Sequence, residues 1–348
     1  MNPLNYQYNR HLLVIYHMDC IDGLASAWAV DCKWGRDEDV RLDYIPYGHH
    51  NIEEAENTIR RHLSTPDKAQ TIDVVFVDVA PTRAFLTELL TPPARATRVI
   101  VADHHKSAAE ALHNFTAPEG DGVPELFLRI EPKHPSAANM VWEYLFPDTP
   151  APVFFRLIAK MDLGQNLLET ENDYAAAALI DSKNITSIDT AFKSFMAMSH
   201  LEFADMVALG RNILNDQDTR ISKLDDNIMY APLQLADGAA PVWVAMVNAD
   251  VQNFGRYIST WLVQQGEKTE AGLGGAWYVQ GNGSVTISLR SDGTPDASAV
   301  AAHLCKCFGI RGGGHSTSAA VHFPSLAAFQ QHVKLHSAAE MARLRKMG

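Results

Sequence analysis

Three short stretches of the chain end in side chains that could do chemistry together. Val99-Ile100-Val101-Ala102 runs straight into Asp103-His104-His105. Leu12-Leu13-Val14-Ile15-Tyr16 runs into His17-Met18-Asp19-Cys20-Ile21-Asp22-Gly23, and Ile72-Asp73-Val74-Val75-Phe76-Val77 ends on Asp78. A fourth acid, Asp162, stands where the apolar periodicity of residues 152–161 stops. Taken singly, an acid after a strand reads as a helix N-cap and a loop histidine as a solvated one. Brought to one place, these carboxylates would repel one another unless cations neutralised them. Carboxylates mixed with imidazoles suit Mn²⁺ or a similar borderline divalent ion, and the lack of thiolates in the set argues against structural zinc.

The elements that would bring them together are strands buried on both faces. Each apolar run lacks in/out alternation and is rich in β-branched residues, as in a parallel sheet. Each is followed by a helical pattern, residues 24–33, 81–90 and the stretch after His105, while residues 40–45 and 52–63 supply a further strand and helix. Alternating strands and helices predict an α/β fold with a doubly wound, mostly parallel sheet. Ligands in such sheets lie at the carboxyl ends of the strands. Pro135-Ser136-Ala137-Ala138-Asn139 leads into an apolar helix, 140–146, and a second apolar helix, 152–161, ends at Asp162-Leu163-Gly164.

Residues 174–230 read as a helical connector, with helices over 175–180, 190–198 and 201–224. Beyond it, strands over 241–247, 276–280, 285–289 and 318–323, helices over 254–264 and 296–307, a loop over 309–314 and one terminal helix, 326–346, predict a smaller α+β domain. Gly281-Asn282-Gly283 is a hairpin turn. The expected domains are therefore 1–173, 174–230 and 231–348. Two features of the last could grip an anion. Gly312-Gly313-Gly314-His315 leaves backbone N–H groups unobstructed by any Cβ, and Arg290 ends a strand with a planar, bidentate donor.

The totals set limits. A length of 348 residues suits two domains and a connector, and 47% hydrophobic content suits a globular core. The net charge of −12 argues against a broad basic groove for duplex DNA. Cys20, Cys32, Cys305 and Cys307 form no C-x-x-C pair, which predicts reduced thiols in a cytoplasmic protein. The first apolar run is too short for a signal peptide, and no stretch approaches the ~20 apolar residues of a membrane span.

His17-x-Asp19-x-x-Asp22-Gly23, Asp78, Asp103-His104-His105 and Asp162 together resemble the four motifs of the DHH phosphoesterases. Gly312-Gly313-Gly314-His315 resembles the signature of the DHH-associated C-terminal domain. The resemblance spans nearly the whole chain, in order. It departs from the pattern in two places: one extra residue separates Asp19 from Asp22, and Ala319-Ala320-Val321 stands where relatives have Ala-Ala-Gly. The resemblance implies a hydrolase that uses two divalent cations, Mn²⁺ with Mg²⁺ or Co²⁺ as alternatives, and a hydroxide bridging them. One metal would be held by His17, Asp19 and Asp78, the other by Asp22, Asp78, His104 and Asp162, with the division between Asp19 and Asp22 open. Asp103 would orient His104, and His105 would reach the scissile phosphate. Arg290, Gly312, Gly313, Gly314 and His315 would bind substrate; Arg311 is not matched to the motif. The implied activity is phosphodiester hydrolysis of short single-stranded oligonucleotides or small nucleotides, in the manner of an exonuclease or oligoribonuclease. The alternatives are a phosphoanhydride hydrolase acting on polyphosphate or pyrophosphate, and a non-catalytic nucleotide sensor. No membrane or duplex DNA partner is expected, and a homodimer is left open. His49, His50, His62, His134, His303, His322, His332 and His336 fall outside the matched motifs and receive no role.

Overall fold

The structure, a computed structural model, describes residues 9–347 except 49–50, 65–70, 94, 164–167, 184, 186 and 255–256. His49, His50 and Gly164 lie outside the described residues. Two compact units meet inside one helix, the first ending at Arg211 and the second starting at Asn212.

In the first unit the chain alternates strand and helix: β1 Arg10–His17, α1 Ile21–Trp34, β2 Val40–Tyr47, α2 Ile52–Ser64, β3 Thr71–Val77, α3 Arg83–Leu90, β4 Arg98–Asp103, α4 Lys106–Ala111 and β5 Glu125–Ile130. It continues through α5 Ala137–Leu145, α6 Val153–Leu163, α7 Glu171–Asp181, α8 Ile188–Met198 and the start of α9 Phe203–Asp225. The five strands form one all-parallel sheet in the order β2-β1-β3-β4-β5. Strand parity sorts the core. Leu13, Ile15, Val74, Phe76, Val99 and Val101 pack with Ala55 and Ile59 of α2 and with Phe85, Leu86 and Leu89 of α3. The opposite parity, Leu12, Val75 and Val77, faces Val30 of α1 and Met140, Val141 and Leu145 of α5. Helices therefore cover both faces, as continuous apolar strands require. Chain order reverses between β1 and β3, which are hydrogen-bonded neighbours, so their carboxyl ends flank the switch point where such sheets bind ligands.

The expected helix opening at Pro81 starts instead at Arg83, because the Thr82 side chain accepts from the Phe85 N–H and caps it. β5 escaped the sequence reading. Its Glu-Leu-Phe-Leu-Arg-Ile run is a half-exposed edge strand that lacks the apolar run of its neighbours. In the stretch read as connector, Phe195 of α8 is fully buried, its ring 5.3 Å from that of Phe154 and 6.0 Å from that of Trp28.

The second unit holds the remainder of α9, then β6 Met229–Leu233, β7 Val242–Asn248, α10 Tyr257–Glu267, β8 Leu273–Val279, β9 Val285–Ser291, α11 Ala297–Phe308, β10 Arg311–His315, β11 Ser318–Phe323, α12 Leu326–His332 and α13 Ala338–Arg345. Its mixed sheet runs β10-β11-β9-β8-β7-β6, with β7 and β8 parallel and the other pairs antiparallel. Two expectations are corrected. The glycine stretch expected as a loop is the edge strand β10, because Gly312, Gly313 and Gly314 pair with Val321, Ala320 and Ala319. A Cβ on Gly312 would sit 2.3 Å from the Ala320 carbonyl oxygen, so only glycine fits that approach. The single terminal helix is two, interrupted where Val333 is buried and the His336 backbone exchanges both hydrogen bonds with Tyr230. Ser337 and Glu340 then cap α13 reciprocally.

Candidate metal centre

At the carboxyl ends of β1, β3 and β4 the sheet delivers His17, Asp78 and Asp103, with His104 and His105 just beyond. Asp78 stands at φ 59°, a backbone conformation that a non-glycine residue adopts at a cost. That turn aims its carboxylate at three imidazoles. Asp78 Oδ2 is 3.3 Å from His17 Nδ1, and Asp78 Oδ1 is 3.2 Å from His104 Nε2 and 3.9 Å from His105 Nδ1. His104 Nε2 also lies 3.6 Å from Asp22 Oδ2 and 3.5 Å from Asp162 Oδ2. Two sets of ligand atoms result, His17–Asp78–His105 and Asp22–Asp78–His104, each within 4.8 Å throughout. Asp78 belongs to both.

The electrostatics are those of charges crowded out of water. Burial and then Asp78 push the Asp22 carboxyl up to about 7. Burial opposes charge on His104, yet Asp78 and Asp22 outweigh it and raise the imidazole to about 9. Burial likewise opposes ionisation of Asp78, but His104 and His17 hold it below the ordinary carboxylate range. Asp78 Oδ1, Asp78 Oδ2, His17 Nδ1 and His104 Nε2 are all buried and none has a hydrogen bond of good geometry. Buried polar atoms are otherwise almost always paired. Four buried polar atoms converging without partners are what a divalent cation would satisfy, displacing the imidazole protons as it binds.

Around this centre the fold supplies supports that the motif reading missed. Ser136 Oγ donates to Asp22 Oδ1 at 2.6 Å, and the Ala137 and Ala138 N–H groups donate to the same carboxylate at 2.7 and 3.3 Å. Asp22 thus sits on the N-terminus of α5, where N–H groups and the helix dipole favour an anion. Ser136 just before an apolar helix was the available signal, as a cap. His104 Nδ1 pairs with the His134 carbonyl at 3.2 Å, so His134 acts through its backbone.

Several expected roles change. Asp103 does not orient His104. Its Oδ1 accepts from the His105 N–H at 3.0 Å and pairs with His105 Nδ1 at 2.7 Å, because a carboxylate at a strand end folds back most readily onto the residue two positions on. This pairing, ahead of burial, raises the His105 imidazole. Asp19 joins neither ligand set. It lies at φ 56° and lines a neighbouring cleft of about 420 Å³ with Tyr16, Met18, Cys20 and Ile188. Asp162 stands in the last turn of α6, near His104 as expected, and accepts from the Cys20 thiol at 3.5 Å. Burial keeps that thiol protonated. A second cleft, about 230 Å³, opens beside His17, Asp78 and His105 and is walled by Tyr47, Ile52, Val79, Pro81 and Ala108.

In the second unit His315 pairs with Ser318 and Ser318 with Arg290 across three adjacent strands. His315 and Arg290 thus share one row, two strand spacings or roughly 9–10 Å apart. Arg290 is partly buried, which lowers its guanidinium; its Nε donates to Ser259 Oγ at 3.0 Å, and no carboxylate among the described residues forms an ion pair with it. A Cβ on Gly313 would meet nothing, so the fold itself makes no demand for glycine there.

No protein-family model matches the chain. It is 28% identical over 167 residues to an uncharacterized protein of Acanthamoeba polyphaga mimivirus, an alignment covering 46% of this chain and 36% of that one. The chain therefore matches little more than a third of that relative's length. A crystal structure of an uncharacterized protein from Helicobacter pylori aligns over 89% of this chain and 92% of its own, at 15% identity and a TM-score of 0.34.

Proposed function

We propose that the chain is a divalent-metal-dependent phosphodiesterase acting on short oligonucleotides or small nucleotides, as the resemblance to DHH phosphoesterases implies. The observation that carries this reading is Asp78, a buried carboxylate that turns Oδ2 to His17 and Oδ1 to His104 and belongs to both ligand sets. His17 and Asp78 would hold one cation; Asp22, Asp78 and His104, with Asp162 alongside, would hold the other. Bound divalent cations would polarise the phosphoryl oxygens and acidify the attacking water. The metal of choice is Mn²⁺, since imidazoles share the site with carboxylates. The sheet would belong to the doubly wound class.

The chain's own groups supply the rest. Asp103 pins His105 through Nδ1, leaving Nε2 to face the substrate. The Asp103 hydrogen bond, ahead of opposing burial, raises the His105 imidazole and so favours its protonated form. From Nε2 it would bind a phosphate oxygen and donate that proton to the departing oxygen. In the second unit, Arg290 and the exposed β10 backbone would offer donors to a phosphate or terminal nucleotide, as the resemblance implies. Asp19 would then line the cleft for the organic part of the substrate rather than hold metal.

The two clefts favour a diester over a phosphoanhydride. Among the described residues their walls carry apolar, acidic, imidazole, hydroxyl and thiol groups, and no Lys or Arg. Polyphosphate would find no basic side chains there, whereas apolar walls suit nucleoside arms on both sides of a phosphate. The test is turnover of a short RNA, a cyclic dinucleotide, 3′,5′-phosphoadenosine and polyphosphate, with and without Mn²⁺. Mn²⁺-dependent release of mononucleotide supports the reading. Turnover of polyphosphate alone would replace it, and no turnover of any substrate would leave a binding protein.

A further inference from the structure

A second cluster of metal-ligating side chains lies at the opposite end of the parallel sheet, away from the centre described above. His11 is in the second position of β1, Asp43 in β2 and His62 in the last turn of α2. Six residues of extended strand separate His11 from His17, about 20 Å. Local rules place the three on one interface. His11 shares the parity of Leu13 and Ile15, whose side chains pack under α2. Leu13 is in register with Asp43, which therefore points to the same face. His62 follows the fully buried Ile59 by three positions, on the same side of α2.

The side chains converge on one oxygen. His11 Nε2 is 2.8 Å and His62 Nδ1 3.6 Å from Asp43 Oδ2, and the three ligand atoms all lie within 4.8 Å of one another. His11 is almost wholly buried, at 1% exposure, while Asp43 and His62 are open on one side. We propose that His11, Asp43 and His62 form a separate divalent-cation site of the Zn²⁺ class, tying α2 to the first two strands.

Two imidazoles and one carboxylate are a borderline donor set, which Zn²⁺ prefers to the harder Mg²⁺ or Ca²⁺. Three protein ligands leave a coordination position for water, on the side where Asp43 and His62 are exposed. Asp43 and His62 have the protonation states an ion needs, and His11 would give up its Nε2 proton to bind it. The hydrogen bond from His11, ahead of burial, keeps Asp43 below the usual carboxylate range, and burial lowers His62, so its imidazole is neutral near pH 7. One cation competes: Arg41 Nη2 lies 2.9 Å from Asp43 Oδ2. Its side chain is 41% exposed, so it can turn to solvent when the ion arrives.

The test uses Zn²⁺ on the full-length, chelator-treated protein and does not depend on any enzymatic activity. Zinc bound after equilibrium dialysis is counted for the wild type, for Asp78→Asn, which empties the first centre, and for His62→Ala, a half-exposed change that spares the core. Asp78→Asn should still bind one Zn²⁺ per chain, and adding His62→Ala to it should abolish that binding. Co²⁺ should give Asp78→Asn a visible d–d absorption band that the double variant lacks. Zn²⁺ should also raise the melting temperature of Asp78→Asn and leave that of the double variant unchanged. If Asp78→Asn takes up no Zn²⁺, or the double variant takes up as much as Asp78→Asn, the three residues are a hydrogen-bonded network only and the site does not exist.

Discussion

Ser136 is where the fold and the candidate centre depend on one hydroxyl. Its Oγ donates to the buried Asp22 at 2.6 Å and accepts the Asn139 N–H at 3.2 Å to cap α5. A hydrogen bond to a charged group is worth about 1.5–3 kcal/mol, and an N-cap about 1 kcal/mol. Ser136→Ala should therefore cost about 3 kcal/mol when Asp22 is ionised. With Asp22 titrating at about 7, the loss should shrink at pH 5, where a neutral carboxyl accepts only an ordinary bond of about 1 kcal/mol. Hydrogen-exchange mass spectrometry on peptides from β1 and α5 reads the difference locally. At pH 9, about 3 kcal/mol corresponds to roughly hundredfold faster exchange, and at pH 5 the cap and the ordinary bond together, about 2 kcal/mol, correspond to roughly thirtyfold. Ser136→Thr keeps the hydroxyl and should behave nearly as wild type. Equal losses at both pH values, or equal behaviour of Ala and Thr, would refute the coupling between cap and carboxylate.

Other outcomes follow from the same geometry. Without metal, stability should fall as pH rises from about 4 to 9. Asp22, raised from 3.8 to about 7, binds more protons folded than unfolded, so its contribution declines across that window. The stability from His104, raised from 6.5 to about 9, is full below 6.5 and lost through 9. Saturating Mn²⁺ should reverse the trend, because ligands must lose protons to bind it; a melting temperature flat in pH without metal would count against this. Gly23→Ala should weaken Mn²⁺ binding, since a Cβ there would lie 2.3 Å from the His17 carbonyl oxygen and displace that ligand; an unchanged metal titration contradicts it. Asp103→Asn should lower the His105 pKa and move the basic limb of the pH–rate profile to lower pH, so a profile that keeps its limb while losing height would argue against a protonated His105.

The strand ends were legible because parallel strands buried on both faces read as unbroken apolar runs, and the acid or histidine closing each run stands out. Those runs alone place His17, Asp78 and His104 at one edge of a sheet. Edge strands do not announce themselves so clearly. β5 is half exposed, β6 carries Pro232, and β10 is mostly glycine, so none shows the pattern. The pairing of Asp103 with His105 depends on a two-residue turn beyond the strand, which composition does not encode. The support of Asp22 by Ser136 joins residues 114 positions apart, a contact that only the packing of α5 against α1 creates. His11 and Asp43 carry no signal of their own and His62 received no role, because each lies inside an ordinary strand or helix pattern and only parity and register unite them.

The most direct measurement is anomalous scattering from crystals equilibrated with Mn²⁺. Two manganese peaks should appear, one beside His17 and the other beside His104, each contacting a different oxygen of Asp78, and both should vanish in Asp78→Asn. A single peak away from Asp78, or none at saturating Mn²⁺, would contradict a shared carboxylate as the heart of this centre.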